Sequence, residues 1–258
     1  MTALFNRLIL ELDAWKAAGQ TATFWWRDDD AVEVTGALER LLALSERRSV
    51  PVALAVIPAR ATDGLRQRLE RARNASVLQH GYAHLNHASD GGKKSEYPSS
   101  RPLGEMAKEI AEGLRLIESF RSHERVFVPP WNRCAPPVLS LLSECGYAAI
   151  SSFGTEVAQI GPPEINCHAD VTAWRTTKGF AGTESVTEAL RSDLVRRREK
   201  ATSRQHPTGL LTHHLVHDEE TWVFLDKLFD VTGRHDAVRW SNISEALGRQ
   251  RGNWGSGV

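Results

Sequence analysis

The chain is poor in the features that would place it in several classes. It has only three cysteines in 258 residues, Cys134, Cys145 and Cys167. An odd, sparse set without a repeat spacing argues against a disulfide framework and fits a reducing compartment. It has no excess of either charge, since Lys plus Arg and Asp plus Glu each number 32. That balance supplies no long-range pull toward nucleic acid or an acidic membrane surface. It has no run approaching the ~18 apolar residues of a membrane span. Its N-terminal apolar stretch is interrupted by Arg7, Glu11 and Asp13 and so lacks the uncharged core of a signal peptide. Leu4, Leu8, Leu10, Leu12 and Trp15 instead suggest an amphipathic helix. The expectation is a cytoplasmic protein with neither nucleic acid nor membrane among its partners. No segment looks like a linker, and no repeat recurs at a fixed period. Residues 1–258 are therefore expected to form one domain, a size that suits a single α/β barrel.

What the chain does have is alternation. Residues 22–27 (ATFWWR) and 51–57 (PVALAVI) read as buried strands, and residues 33–48 between them carry apolar side chains at helical spacing. Further strands are expected at 76–79, 125–128, 148–153, 164–168, 209–215 and from 236. Helices are expected at 63–74, 103–120, 136–145, 184–200 and 219–232. Strand–helix alternation of this kind predicts a parallel sheet covered by helices, an open or closed α/β barrel. Residues 88–102 form a polar stretch, and so long a loop in a compact domain is usually functional or disordered. Lys93, Lys94 and Glu96 within it are candidates for a lid.

The reactive residue types fall at strand ends. Aspartates follow the first strand, histidines the third, Pro-Pro-Trp the fourth, and histidines again a late strand. In α/β barrels the C-terminal strand ends share one face, and that face carries the site. His80 and His84 can meet one metal ion if the segment turns helically past its strand. An ordinary polar loop would equally produce two histidines at this spacing. Asp28, Asp29 and Asp30 repel one another unless a cation or basic groups neutralise them, although a solvated turn capping the next helix would also accept aspartates. Two histidines and a carboxylate make a common catalytic metal set with positions open to water and substrate.

On these residues the chain resembles the polysaccharide deacetylases, the NodB-type family also called carbohydrate esterase family four. Five short motifs match in order over roughly residues 20–245. They are Arg27-Asp28-Asp29-Asp30, the pair His80 and His84, Val128-Pro129-Pro130-Trp131, Asp170-Val171-Thr172-Ala173-Trp174, and Leu210-Leu211-Thr212-His213. The resemblance implies a single-domain distorted (β/α) barrel of about seven strands. It implies a divalent cation held by Asp30, His80 and His84, with zinc expected and cobalt, nickel and manganese as alternatives. Asp29 would be the general base, His213 the general acid, and the backbone amide of Trp131 an oxyanion donor. Aligning the base and ligand on Asp28 and Asp29 is the alternative register. Pro130, Asp170, Trp174 and His214 would line or support the site.

Two departures from the family pattern stand out. The arginine that steadies the base is replaced by Val128, leaving Arg133 or Arg27 to pair with a carboxylate. The carboxylate that tunes the acid histidine is replaced by Ala173, leaving Asp170 or Asp218 for that role. On a strand, His213 and His214 would point to opposite faces, so only one can join the site, and His213 is the choice. Trp25 and Trp26 would likewise diverge. His87, His168 and His217 read as surface or supporting residues. Arg196, Arg197 and Arg198 read as a solvated helix end.

The implied activity is metal-dependent removal of an acyl group, acetyl above all, from an N-acetylated sugar or related carbohydrate. The expected substrate is a small or oligomeric carbohydrate. The alternatives are a C–N hydrolase of a small non-sugar amide and a carbohydrate-binding relative without turnover.

Overall fold

Apolar runs with no polar alternation are what a parallel sheet buried on both faces requires, and the sheet at the centre of this chain is made from them. The computed structural model describes residues 2–155, 160–200 and 206–251; the ends of the expected domain span, residue 1 and residues 252–258, lie outside these. Strand β1 (Ala22–Ala31) lies at the middle, flanked by β2 (Val52–Val56) and β7 (Thr208–Thr212). Beyond β2 come β3 (Ala75–His80), β4 (His123–Val128) and β5 (Ala149–Ile150), and beyond β7 comes β6 (Ala169–Asp170). Strand β8 (Val238–Trp240) pairs with the start of β1. Every strand pairing is parallel. Parallel bridges Ile150–Glu164 and Phe153–Cys167 join the β5 edge toward the segment that leads into β6. The result is a curled half-barrel of the distorted (β/α) kind, with seven strands on one continuous path.

Helices α1 (Asn6–Ala17), α2 (Gly36–Arg48), α3 (Asp63–Leu69), α4 (Leu103–Ile117), α5 (Pro136–Glu144), α6 (Thr183–Glu199), α7 (Glu219–Gly233) and α8 (Ile243–Arg251) complete the alternation. Thr35, Thr62 and Asp218 cap α2, α3 and α7 by accepting the N–H of Leu38, Leu65 and Thr221. These bonds satisfy donors that the first helical turn leaves unpaired.

Strand parity sorts the residues of β1 between two cores. Phe24 and Trp26 pack with Leu54, Val77 and Leu210 on one face, together with residues of α1, α2, α6 and α7. Trp25 packs with Ala53, Ala55, Leu78, Val128 and Leu211 on the other. Both tryptophans are therefore core, each holding its indole N–H bonded, Trp25 to the Asn166 carbonyl and Trp26 to Thr212 Oγ1. Each such large side chain withdrawn from water is worth roughly 1.5–3 kcal/mol or more.

The structure corrects several expected boundaries. Strand β1 continues through the aspartates to Ala31, so Asp28 and Asp29 are buried strand residues and not a solvated turn. The helix expected over 63–74 stops at Leu69. The strand expected over 148–153 keeps only Ala149–Ile150, and 164–168 supplies isolated bridges in place of a strand. Strand β7 ends at Thr212, so His213 and His214 follow it in a tight turn. Arg197 is not part of a solvated helix end. It is fully buried, donating to the Thr23 carbonyl, Thr23 Oγ1 and Thr208 Oγ1, with its guanidinium over the Trp15 ring.

Candidate metal and catalytic site

Parity assigns the aspartates different surroundings. Asp29 shares the inner face with Trp25 and Arg27, while Asp28 shares the helix-covered face with Trp26. Arg27 is fully buried and straddles Asp29, with Nε 2.9 Å from Oδ1 and Nη2 3.0 Å from Oδ2. The rest of its guanidinium is spent on Ser151 Oγ, the carbonyls of Ser151 and Ser152, and Asn132 Oδ1. Burial works against the Arg27 charge, but the Asp29 carboxylate outweighs it and holds the guanidinium pKa above its ordinary value. Arg27 thus stands where the sequence left a choice between two arginines. Arg133 has an exposed side chain and no ion pair with any described carboxylate.

Asp28 turns the other way. Its Oδ2 accepts from Thr212 Oγ1 and from the His214 N–H at 3.0 Å, and its Oδ1 meets His214 Nδ1 at 2.5 Å. Burial opposes ionisation of Asp28, yet the His214 charge and hydrogen bond win, and its pKa lies below the usual carboxylate range. The three bonds clamp the turn on both sides of His213. His213 itself faces the site, with Nε2 3.9 Å from Asp29 Oδ2. Its ring meets Trp174 edge-on at 4.7 Å, and Trp174 donates its indole N–H to Asp170 Oδ2 at 2.9 Å. Burial raises the Asp170 pKa, and the His213 charge acts against that rise. Asp218 is occupied elsewhere, capping α7 and accepting the Phe180 N–H. His213 Nδ1 is buried and has no hydrogen-bond partner among the described residues.

Asp30 escapes strand parity. Its φ is 72°, and the β1–β2 register shifts between Asp28 and Ala31. That bulge re-aims the carboxylate toward the end of β3. Oδ1 comes to 3.2 Å from His80 Nε2 and 3.4 Å from His84 Nε2. One donor atom from each of the three residues lies within 4.8 Å of the others. His80 Nδ1 lies 3.0 Å from the Val128 carbonyl, which in the neutral ring puts the proton on Nδ1 and the lone pair on Nε2. His84 does not arrive by a helical turn. Gly81 at φ 57° reverses the chain after β3, and His84 itself sits at φ 58°. His87 lies on the exposed continuation of this loop.

Among the described residues six non-glycines have positive φ, and four of them, Asp30, His84, Trp131 and Asn132, belong to this one site. Each costs about 1–3 kcal/mol and persists only where its surroundings over-determine it, so their clustering marks a functional centre. Trp131 follows buried Pro130 and packs its ring on His84 at 4.4 Å. Its backbone N–H makes no hydrogen bond among the described residues, whereas the next two amides bond back to Pro129 and Pro130.

The donor set fits a divalent cation. Asp30 Oδ1 is buried between two imidazole nitrogens yet makes no well-directed hydrogen bond. Burial pushes its pKa up, but the approach of His80 and the charges of His213 and His84 bring it far below the ordinary 3.8. Two nitrogens and one carboxylate oxygen are the donors of catalytic zinc sites. No cysteine contributes, and Cys134 and Cys167 are thiols that burial pushes up to about 12.

The fold that carries this site has counterparts among solved structures. A probable polysaccharide deacetylase from Pseudomonas aeruginosa PAO1 is 15% identical with a TM-score of 0.62, the match covering 92% of this chain and 93% of that one. A family 4 acetyl xylan esterase from Clostridium thermocellum, bound to a cobalt ion, is 13% identical with a TM-score of 0.53 over 88% and 90% of the two chains. The chain has the polysaccharide deacetylase fold. A family 4 pseudoenzyme from Bacillus anthracis shares the deacetylase fold at 16% identity and a TM-score of 0.53, over 88% of this chain and 66% of that one. No family model matches the sequence, and no curated protein is significantly similar to it.

The sequence did not point to Asn132 or Ser151 as parts of this site, and it gave Thr212 no role beyond its place in the fifth motif. Each acts by holding Arg27 or Asp28, and nothing in its own sequence context signals the contact.

Proposed function

We propose that this protein is a metal-dependent deacetylase that removes an acetyl group from an N-acetylated sugar or related carbohydrate. The observation that carries this reading is the convergence of Asp30, His80 and His84 beside an Arg27-held Asp29, in a fold shared with the deacetylases. A divalent cation held by the three residues, with zinc the expected ion, would polarise the acyl carbonyl and acidify the attacking water.

The chain's own groups account for the rest. Asp29, fixed by two guanidinium contacts, accepts the water proton as general base. The unpaired Trp131 N–H would donate to the oxyanion that develops on the acyl oxygen. His213 delivers a proton to the leaving nitrogen, held by the Asp28 clamp on its turn and by the edge of Trp174. The rings of Trp131 and Trp174 give a sugar apolar surfaces to lie against.

A C–N hydrolase of a small non-sugar amide and a binding protein without turnover are the competing readings, and loss of turnover on this fold has a precedent in the pseudoenzyme. The deciding experiment is metal analysis of wild type, Asp30→Ala and His84→Ala, with acetate release from chitooligosaccharides measured against ring opening of cyclic ureides. Stoichiometric metal in wild type, loss in both variants and acetate release are expected. Full metal in both variants would remove the site, and glycan binding without acetate release would favour the inactive relative.

A further inference from the structure

Glu96 lies in the polar 88–102 segment that the sequence offered as a lid, yet its side chain is fully buried. Its carboxylate accepts the backbone N–H of Tyr82 at 3.0 Å, of Ala83 at 2.8 Å and, more loosely, of Leu85 at 3.4 Å. Those amides all belong to the short turn that carries His84 away from the end of β3. No lysine or arginine among the described residues forms an ion pair with the Glu96 carboxylate, so converging backbone dipoles are what meet it. Such a concavity of N–H groups is a favourable anion site.

The fit is specific on both sides. A Cβ placed on Gly81 would lie 2.0 Å from Glu96 Oε2, so the carboxylate fills the space a side chain there would need. The neighbours of Glu96 tie down two loops. The Ser95 N–H donates to Asn86 Oδ1, and the His87 N–H donates to the Ser95 carbonyl. The Ala135 N–H donates to the Tyr97 carbonyl at 2.8 Å, and Ser95 Oγ donates to the Arg133 carbonyl at 3.4 Å. The segment 95–97 therefore fastens the His84 turn on one side and the Trp131 loop on the other. His84, at φ 58°, would not hold its left-handed backbone unaided.

We propose that Glu96 is a positioning residue for the metal site, an internal anion that holds the 82–85 turn so that His84 Nε2 faces Asp30 and His80. The proposal rests on the reading of those three residues as metal ligands. Partners that orient a ligand from outside its coordination sphere commonly govern affinity by ten- to a hundredfold.

The test uses the full chain and cobalt(II) as the probe. Glu96→Gln, which keeps the volume and loses the charge, and Glu96→Ala are titrated with cobalt(II) beside wild type and Asp30→Ala. Amide hydrogen exchange at Tyr82, Ala83 and Leu85 and the melting temperature are measured on metal-free protein. The expected result is cobalt affinity weakened roughly tenfold in Glu96→Gln and up to a hundredfold in Glu96→Ala. Faster exchange at the three amides is expected in both, with the Glu96→Gln melting temperature close to wild type. Wild-type cobalt affinity in both variants would overturn the proposal, as would unchanged exchange. If wild type itself bound no cobalt, the metal reading would fall, and the amide exchange would still decide whether Glu96 holds the turn.

Discussion

At the scale of single residues, the site depends on which charges are buried together. Arg27 and Asp29 are both withdrawn from water, and their ion pair has side-chain exposures of 0% and 3%. Such a pair adds little net stability over an apolar replacement, but removing one partner strands the other charge at a cost of about 3–5 kcal/mol. Arg27→Met should therefore lower unfolding stability by about that amount in urea titrations and abolish turnover. A second change, Arg27→Met with Asp29→Leu, should recover much of the stability and none of the activity. If Arg27→Met unfolds at the wild-type urea concentration, the pair is not what holds Asp29. This arrangement also explains how the chain manages with Val128 where the resemblance leads one to expect arginine. Arg27 reaches Asp29 from two positions earlier on the same strand face, and Val128 is left free to pack in the inner core.

At the scale of elements, the strand–helix order was legible because parallel strands buried on both faces leave long apolar runs. The ends were less legible, because tertiary contacts set them. Strand β1 runs on through three aspartates, against their weak strand preference. Arg27 neutralises Asp29, and His214 neutralises Asp28. Helix α6 shows the same override. Its Arg196-Arg197-Arg198 run looks solvated by composition, yet Arg197 reaches between β1 and β7 to Thr23 and Thr208 while Arg198 pairs with Glu11. Arg197→Ala should remove those bonds and leave buried acceptors unpaired, at about 1–3 kcal/mol for each stranded group. Arg115→Ala, on the exposed face of α4, should stay within about 0.5 kcal/mol of wild type. Equal denaturation midpoints for the two variants would show that Arg197 is no more than a surface residue. The convergence of Asp30, His80 and His84 could be read from motif order, since Asp30 and His80 sit at strand ends and His84 lies in the loop just after one. The left-handed turns that aim Asp30 and His84 could not, because they come from the bulge after Asp28 and the reversal at Gly81.

At the scale of the whole molecule, the candidate metal ligands join the end of β1 to the loop after β3, so a cation that binds them only in the folded chain should stabilise all of it by mass action. At a hundred times its dissociation constant the gain is about 2.7 kcal/mol. The gain should depend on pH, with a sign set by His80. Burial pulls the His80 pKa down, but the charges of Asp29 and Asp30 outweigh this and hold it above 6.5 in the metal-free protein. A group raised in this way stabilises the metal-free fold fully below 6.5, and that contribution is lost as pH rises through the folded value. The cation requires the bare Nε2, so protons compete with it below the folded value and withdraw above it. Both effects run in one direction. The melting-temperature increase on adding cobalt(II) should be small near pH ~6 and grow toward pH ~8, where more His80 is unprotonated. Asp30→Ala should show no increase at any pH. An increase that is the same across this range would mean that His80 is not a ligand, and an increase that survives Asp30→Ala would place the cation elsewhere on the molecule.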